Sequence, residues 1–427
     1  MNPPTIVIVG GGFAGTTLVR ELQRTAGNKA ALTLISEESY TTFNPMLPEA
    51  VGAAIFPEQA VAPIRAMLRP STRFIMGSVT RIDPARTTLE CETLAGERTL
   101  AYDHLVLAFG SRARLDLVPG MAEHALPLKT VGDALHIRNM VLRRAARIEL
   151  ESDPATRRRL GHFVVIGGGF SGVEVAGSLA DCLAGIARYY PRIAAGELKV
   201  TLVQDIERLL PELPLALGRA ALDSLRARGV EVQLGSRVTG IGEREVRLAD
   251  RSVLDSETAI CTIGTRPNIL VGNLGVPLER GRIRVAPDLS VAGISGLWAI
   301  GDCALVPNAF DGSFAPPTAQ FAVREAKVLA KNIVATLERK ETKPFTYRSR
   351  GMMASIGHLK GVAQVCGVPL SGLAAWLVWR AYYLSQMPTL GRKLRIFVEW
   401  TWGMFFPPDI THLRFTQSRE REPAGRT

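Results

Sequence analysis

The stretch Ile6-Val7-Ile8-Val9-Gly10-Gly11-Gly12-Phe13-Ala14-Gly15 returns almost unchanged as Val164-Val165-Ile166-Gly167-Gly168-Gly169-Phe170-Ser171-Gly172. Each copy reads as a short β-branched strand, then Gly-x-Gly-x-x-Gly, then a helical pattern over 16–24 or 173–182. A lone motif of this kind says little, because glycine is common. Two copies, each between a strand and a helix, meet the structural context that the mechanism requires. Gly10 and Gly167 make the tight turn. Gly12 and Gly169 let the backbone approach a pyrophosphate, and Gly15 and Gly172 let helix and strand pack closely. The positive end of each helix then favours phosphate charge.

Each copy leads to a second strand: Leu32-Thr33-Leu34-Ile35, then Ser36-Glu37-Glu38, and Val200-Thr201-Leu202-Val203, then Gln204-Asp205. A carboxylate at the end of such a strand accepts hydrogen bonds from a ribose diol. Glu37 is the candidate in the first copy. In the second copy neutral Gln204 holds the position, with Arg208 four residues on, so both NADH and NADPH remain open. Asp205 weighs against a 2′-phosphate. Two such folds in one chain point to two dinucleotides, a flavin that stays and a nicotinamide that visits.

The chain has 427 residues, and at roughly 150 residues per domain that suggests about three domains. Hydrophobic residues are 47% and charged residues 21%, which is globular usage rather than that of a disordered chain. The formal charge of +11 favours an anionic partner such as a phosphate cofactor or a membrane surface. Nucleic acid is not expected, because no recognition module or aromatic interleaving accompanies Arg143-Arg144, Arg147 and Arg157-Arg158-Arg159. Residues 133–150 read as an amphipathic helix, and the arginines read as a solvated face. Cys91, Cys182, Cys261, Cys303 and Cys366 are far apart, and the six histidines form no spaced ligand set, so no metal is expected. The N-terminus reads as a first strand rather than a signal peptide, and no apolar run suggests a membrane span.

With these motifs, the chain resembles the flavoproteins that carry two dinucleotide-binding domains, relatives of the pyridine nucleotide–disulfide reductases. The segments 103–111, 262–268 and Leu297-Trp298-Ala299-Ile300-Gly301-Asp302 extend the resemblance. The first two, with Gly110 and Gly264, look like the crossings between domains. The third looks like a second flavin motif and implies that Asp302 contacts the flavin ribityl chain. Among subfamilies the chain is most similar to the type II NADH dehydrogenases, single-chain NADH:quinone oxidoreductases on a membrane surface. The resemblance implies FAD and NADH as cofactors, with Phe13 and Ala14 at the FAD turn. It puts Ala319 and Gln320 beside the isoalloxazine, near the quinone. Arg324 departs from the family pattern, which has a second Gln there. Glu174 matches a family Glu between flavin and nicotinamide. It would order the nicotinamide, relay a proton to quinone, or simply sit at a positive helix end.

Two rival readings use the same residues. A sulfide:quinone oxidoreductase needs two cysteines converging on the flavin, and none lies between Gly110 and Gly167. A non-catalytic FAD-binding interaction protein would keep the cradles and lose turnover.

Four of the five tryptophans fall at 376, 379, 400 and 402. A helix over 371–386 puts Trp376, Trp379 and Tyr383 on one face. A second over 392–405 puts Arg392, Arg395 and Glu399 opposite Leu394, Phe397, Val398 and Phe405. This is the pattern of helices lying in a membrane interface, or of a homodimer contact. The expected architecture is α/β: two Rossmann-like, doubly wound dinucleotide-binding domains, for FAD and NAD, plus a C-terminal region with amphipathic helices. Residues 1–117 and 291–340 form the FAD domain, 118–290 the NAD(P)H domain and 341–427 the membrane-association region. The expected location is peripheral, on the cytoplasmic face of the inner or plasma membrane.

Overall fold

The computed structural model describes residues 3–407 and 409–413. Strand Thr5–Val9 is central to a seven-stranded sheet, flanked in parallel by Ala31–Ser36 and His104–Leu107. Strand His162–Ile166 is central to a five-stranded parallel sheet, flanked by Lys199–Val203 and Thr258–Cys261. Apolar β-branched runs form these central strands because both faces are covered, and His104–Leu107 and His162–Ile166 are buried throughout. In each sheet the chain crosses to opposite sides of the central strand. That opens a crevice at the carboxyl ends, where the glycine turns sit.

The first core buries strands of the larger sheet between helices Phe13–Thr25 and Ala319–Leu337, which pack along one another, and smaller elements on the other face. The two interdomain crossings, Ser111–Ala113 and Thr265–Pro267, pair antiparallel and form the joint. One boundary moves. Val271, Leu274, Val276, Ile283, Val285 and Leu289 are buried in the first core, and Arg282–Arg284 pairs with Ala304–Leu305. The chain therefore returns to the first domain just after the joint, not near residue 291. Sequence offers no marker there, because the returning segment is irregular and its only signature is tertiary packing.

The arginine-rich stretch is not simply a solvated face. Arg144 and Arg159 converge on Glu257 at 2.5 and 3.0 Å, and Arg157 pairs with Glu197 at 2.7 Å. These arginines and carboxylates are at most 16% exposed at their side chains. Helices Val131–Ile148 and Pro154–Gly161 meet and bring alternate arginines over carboxylates that lie far away in sequence.

The C-terminal region is an antiparallel sheet, Gly351–Ser355, Gly361–Val365 and Val368–Ser371, followed by helices Gly372–Gln386 and Leu390–Trp402. The expected outward aromatic face on the first helix is reversed. Trp376 and Trp379 are 1% and 0% exposed and Tyr383 is half-buried, all turned into the protein. Helical spacing fixes which residues share a face but not which way that face looks. The second helix does show its apolar face outward, with Leu394, Phe397 and Val398 more than half exposed. Helix Phe170–Ala187 is long and apolar enough to cross a membrane by composition, yet it is the core helix behind the second glycine turn, and most of it is buried.

The third glycine of each turn is the tightest point. A Cβ on Gly15 would overlap the Gly10 carbonyl oxygen, and one on Gly172 the Gly167 carbonyl oxygen. Gly169 has nothing near its missing Cβ. Gly172→Ala is therefore expected to cost about 1–3 kcal/mol or more of stability. Gly169→Ala should cost no more than about 1 kcal/mol, the effect of Ala for Gly at a helix start. Thermal unfolding of the two variants checks this, and equal melting temperatures would contradict it.

Candidate functional site

The two glycine turns share their backbone bonding and their helix starts. Gly10 and Gly167 take φ of +121° and +109°, a region open mainly to glycine. Gly10 N–H donates to Ile35 O and Gly167 N–H to Val203 O, both at 2.8 Å. Helices Phe13–Thr25 and Phe170–Ala187 start at Gly12 and Gly169 with no side-chain cap. A helix start leaves orphan N–H groups that a side chain, water or anion must satisfy. Here the glycines leave open space beside those donors, so the turns fit a dinucleotide pyrophosphate.

Ser36 and Gln204, at the ends of the second strands, sit under Gly11 and Gly168. The Gln204 carbonyl accepts the Gly168 N–H at 2.7 Å, so this side chain braces the turn. Glu37 is exposed one residue beyond its strand, bonded to Arg112 and, at 3.3 Å, to the Ser78 hydroxyl. One amino group of Arg208 donates to the backbone carbonyls of Leu210, Pro211 and Leu213.

Where the domains meet, a cleft is lined by Asn44, Leu47, Pro48, Lys129, Ser171 and Gly264, among others. Gly110 and Gly264 take φ of +68° and +74° at the crossings. Asp302 accepts from the Ser111 hydroxyl at 2.8 Å, and Lys129 Nζ lies 3.0 Å from that hydroxyl and 3.9 Å from the Asp302 carboxylate. Helix Ala319–Leu337 starts uncapped and packs against this Asp302 turn, so Phe13, Ala14, Ala319 and Asp302 belong to one neighbourhood. Beneath it, Glu325 is 2% exposed and accepts the Gly301 N–H at 2.7 Å. Burial pushes its carboxyl up to about 7.

Glu174 is the fifth residue of its helix, beyond the first turn, so a helix-end role loses its basis. Its carboxyl is 7% exposed and faces the C-terminal region. It accepts from Ser355 N–H at 3.0 Å and from the Trp379 indole N–H at 3.2 Å. Burial pushes it up to about 8 against the pull of those two donors, and nearby Glu49 adds to the rise. Glu49 is 5% exposed, bonded to the Trp400 indole at 2.7 Å and 3.8 Å from Arg380.

Gln320 is spent on the protein itself. Its oxygen accepts the Tyr347 hydroxyl at 2.7 Å and Arg350 N–H at 3.4 Å. Its nitrogen donates to Ser349 Oγ and Gly351 O, both at 3.3 Å. A backbone N–H can only donate and a carbonyl can only accept, so the amide's orientation is fixed. Its two donors and two acceptor sites are all engaged. Arg324 lies over the Tyr347 ring, 5.2 Å from its centroid.

Sequence reading missed Lys129, Glu49, Arg380, Tyr347 and Glu325. Lys129 stands in His124-Ala125-Leu126-Pro127-Leu128-Lys129-Thr130, a further stretch that resembles the family. The others carry no local signal, because their partners are distant in the chain.

The pyridine nucleotide-disulphide oxidoreductase family matches residues 4–326, and the NDH2 C-terminal domain matches 349–407. A type II NADH:quinone oxidoreductase of Mycobacterium tuberculosis is 30% identical over 93% of this chain and 87% of its own length. In fold, the chain is similar to NDH2 from Plasmodium falciparum solved with NADH, at TM-score 0.89 and 18% identity, covering 96% and 99% of the two chains. It is also similar to the sulfide:quinone oxidoreductase of Aquifex aeolicus, at TM-score 0.70 and 18% identity, covering 94% and 95%.

The raised Glu174 carboxyl has a consequence for stability. The folded chain keeps a proton up to about pH 8 that an unfolded chain releases above about 4.5. Stability is therefore present in full below about 4.5 and is lost as pH rises toward 8. Gln at 174 keeps both acceptor contacts and has no proton to lose. Glu174→Gln should melt with wild type near pH 5 and above it near pH 8, and an equal difference at both pH values would contradict this.

Proposed function

Because the chain belongs to the pyridine nucleotide-disulphide oxidoreductases and, within them, to the type II NADH:quinone oxidoreductases, we infer that it moves two electrons from NADH through FAD to a quinone. The observation that carries this is the pair of matching uncapped turns. A cleft at Ser171 opens beside the second turn, and the C-terminal domain meets that turn's helix at Glu174. The flavin supplies the electron-carrying chemistry, and the protein binds, orients and supplies protons.

The first turn, Gly10, Gly12 and Gly15, holds FAD, with Glu37 at the adenosine ribose and Asp302 and Ala319 toward the ring. The second, Gly167, Gly169 and Gly172, holds NADH. NADH over NADPH is supported by the type II NADH:quinone oxidoreductases that the chain is similar to, and one Arg208 amino group is already bonded to backbone carbonyls. Glu174 delivers a proton at the acceptor side rather than ordering the nicotinamide, since its carboxyl faces the C-terminal helices. Gln320 acts there as a positioning residue by fixing the segment from Tyr347 to Gly351.

A sulfide-oxidising reading has less support. All five cysteines are free. Burial pushes the Cys303 thiol up to about 12, where it is a poor nucleophile.

The membrane contact is the outer face of helix Leu390–Trp402 and the turn after it. Leu394, Phe397, Val398, Trp402 and Phe405 are 56–76% exposed there. Two polar residues of that helix are tied to the protein, Arg392 to Gln59 at 3.1 Å and Glu399 to Phe56 N–H at 2.6 Å, while Arg395 is exposed. An exposed apolar face with an exposed cation beside it suits a lipid interface. We place the enzyme on the cytoplasmic face of the inner or plasma membrane, the side where free thiols persist.

Purified protein should be yellow, bleach on NADH and recolour with a short-chain quinone. Flavin that stays oxidised under NADH would overturn the donor assignment. The double variant Leu394→Glu, Phe397→Glu should lose sedimentation with anionic liposomes while keeping NADH oxidation with a water-soluble quinone. Retained sedimentation would overturn the membrane face.

A further inference from the structure

The carboxylates at 49 and 174 sit in a buried shell with one cation. Glu49 comes from helix Leu47–Val51, which packs against helix Phe170–Ala187 carrying Glu174. Arg380 comes from helix Gly372–Gln386, and its side chain is 14% exposed. The guanidinium lies 3.8 Å from the Trp376 ring centroid and 4.8 Å from that of Trp400, and it donates to Trp400 O at 3.2 Å. Each carboxylate is also held by one indole from the C-terminal helices, Trp379 on Glu174 and Trp400 on Glu49.

Two buried carboxylates cannot both keep their charge beside one cation without a large desolvation cost. A neutral cluster needs one proton. Burial pushes Glu49 up as well, but Arg380 and the Trp400 indole pull it back, so the proton belongs on Glu174, which has only neutral donors. We propose that Glu49, Glu174 and Arg380 act as one proton-holding unit, in which the Glu49–Arg380 pair keeps Glu174 protonated and the two C-terminal helices hold the unit together. Glu49 and Arg380 are thus positioning residues for the proton on Glu174. The role of that proton rests on the reading of Glu174 given above. Reducing a quinone to a quinol takes two electrons and two protons. NADH supplies two electrons and one proton as hydride, so the second proton comes from solvent through a protein group.

Other groups face the unit without changing its balance. Tyr383, beside Glu174, is pushed up by burial and stays neutral. Glu399, near Glu49, is also pushed up by burial, which favours its neutral form. His358, near Arg380, is pushed down by burial and favours its neutral form too. Arg380 is lowered by burial to about 10 and remains a cation at neutral pH.

The test reads the infrared C=O stretch of protonated buried carboxyls in the purified holoenzyme as a function of pH. The Glu174 band is assigned by its loss in Glu174→Gln. Glu49→Gln keeps the acceptor for Trp400 but removes the neighbouring negative charge that raises Glu174, so the band's midpoint should fall by roughly one pH unit or more. Arg380→Met should add a second protonated carboxyl band, because Glu49 without its cation takes up a proton. If Glu49→Gln fails to fold, the Arg380→Met spectrum decides. An unmoved midpoint in Glu49→Gln, or no second band in Arg380→Met, overturns the unit. The pH profile of quinone reduction separates this from the function. If Glu174→Gln keeps the wild-type rate and profile, the role of Glu174 falls, while the infrared result still judges the charge unit.

Discussion

Everything in this molecule depends on helix starts that are left without a cap. A helix of this length normally satisfies its first N–H groups with a Ser, Thr, Asp or Asn side chain. The helix Val131–Ile148 does so with Thr130 and Asp133 in a reciprocal pair. The helices after the two glycine turns do not. Their donors are left for something outside the chain, and the glycines keep the space beside them free of side chains. Each donor set lies at the carboxyl end of its own parallel sheet, and the paired strands of the joint tie the two domains together.

The C-terminal region does two jobs with two faces of the same helices. Inward, Trp376, Trp379 and Trp400 close over Glu49, Glu174 and Arg380 and exclude water from them. Outward, aliphatic and aromatic side chains of the last helix stay exposed. The indoles that hold the carboxylates belong to the same two helices as the exposed face, so the proposed membrane contact and the proposed proton chemistry share one mechanical element.

Much of this was legible in the sequence, for reasons that differ by residue. The glycine turns could be read because their backbone demands leave almost no choice of residue, and because the chain states them twice. The second flavin motif with Asp302 needed family resemblance, since a Gly-Asp pair has no meaning by spacing alone. The tryptophans showed where the aromatic helices lie but not which way they face. Period fixes a face, while burial is decided by what packs against it. The cluster around Glu49 could not be read at all. Its members come from segments centred near 49, 174, 380 and 400, and no local pattern joins them. The arginines near 144 and 157 looked solvated for the same reason, because Glu257 and Glu197 are remote in sequence.

The central claim is that one chain holds two different dinucleotides at once. Nucleotide stoichiometry on the purified protein tests it most directly, by counting the FAD retained after dialysis and then titrating NAD+ by calorimetry. The account predicts one FAD per chain that survives dialysis and one NAD+ per chain that binds without displacing it. Binding of NAD+ only when FAD is stripped away would show a single shared site and contradict the account.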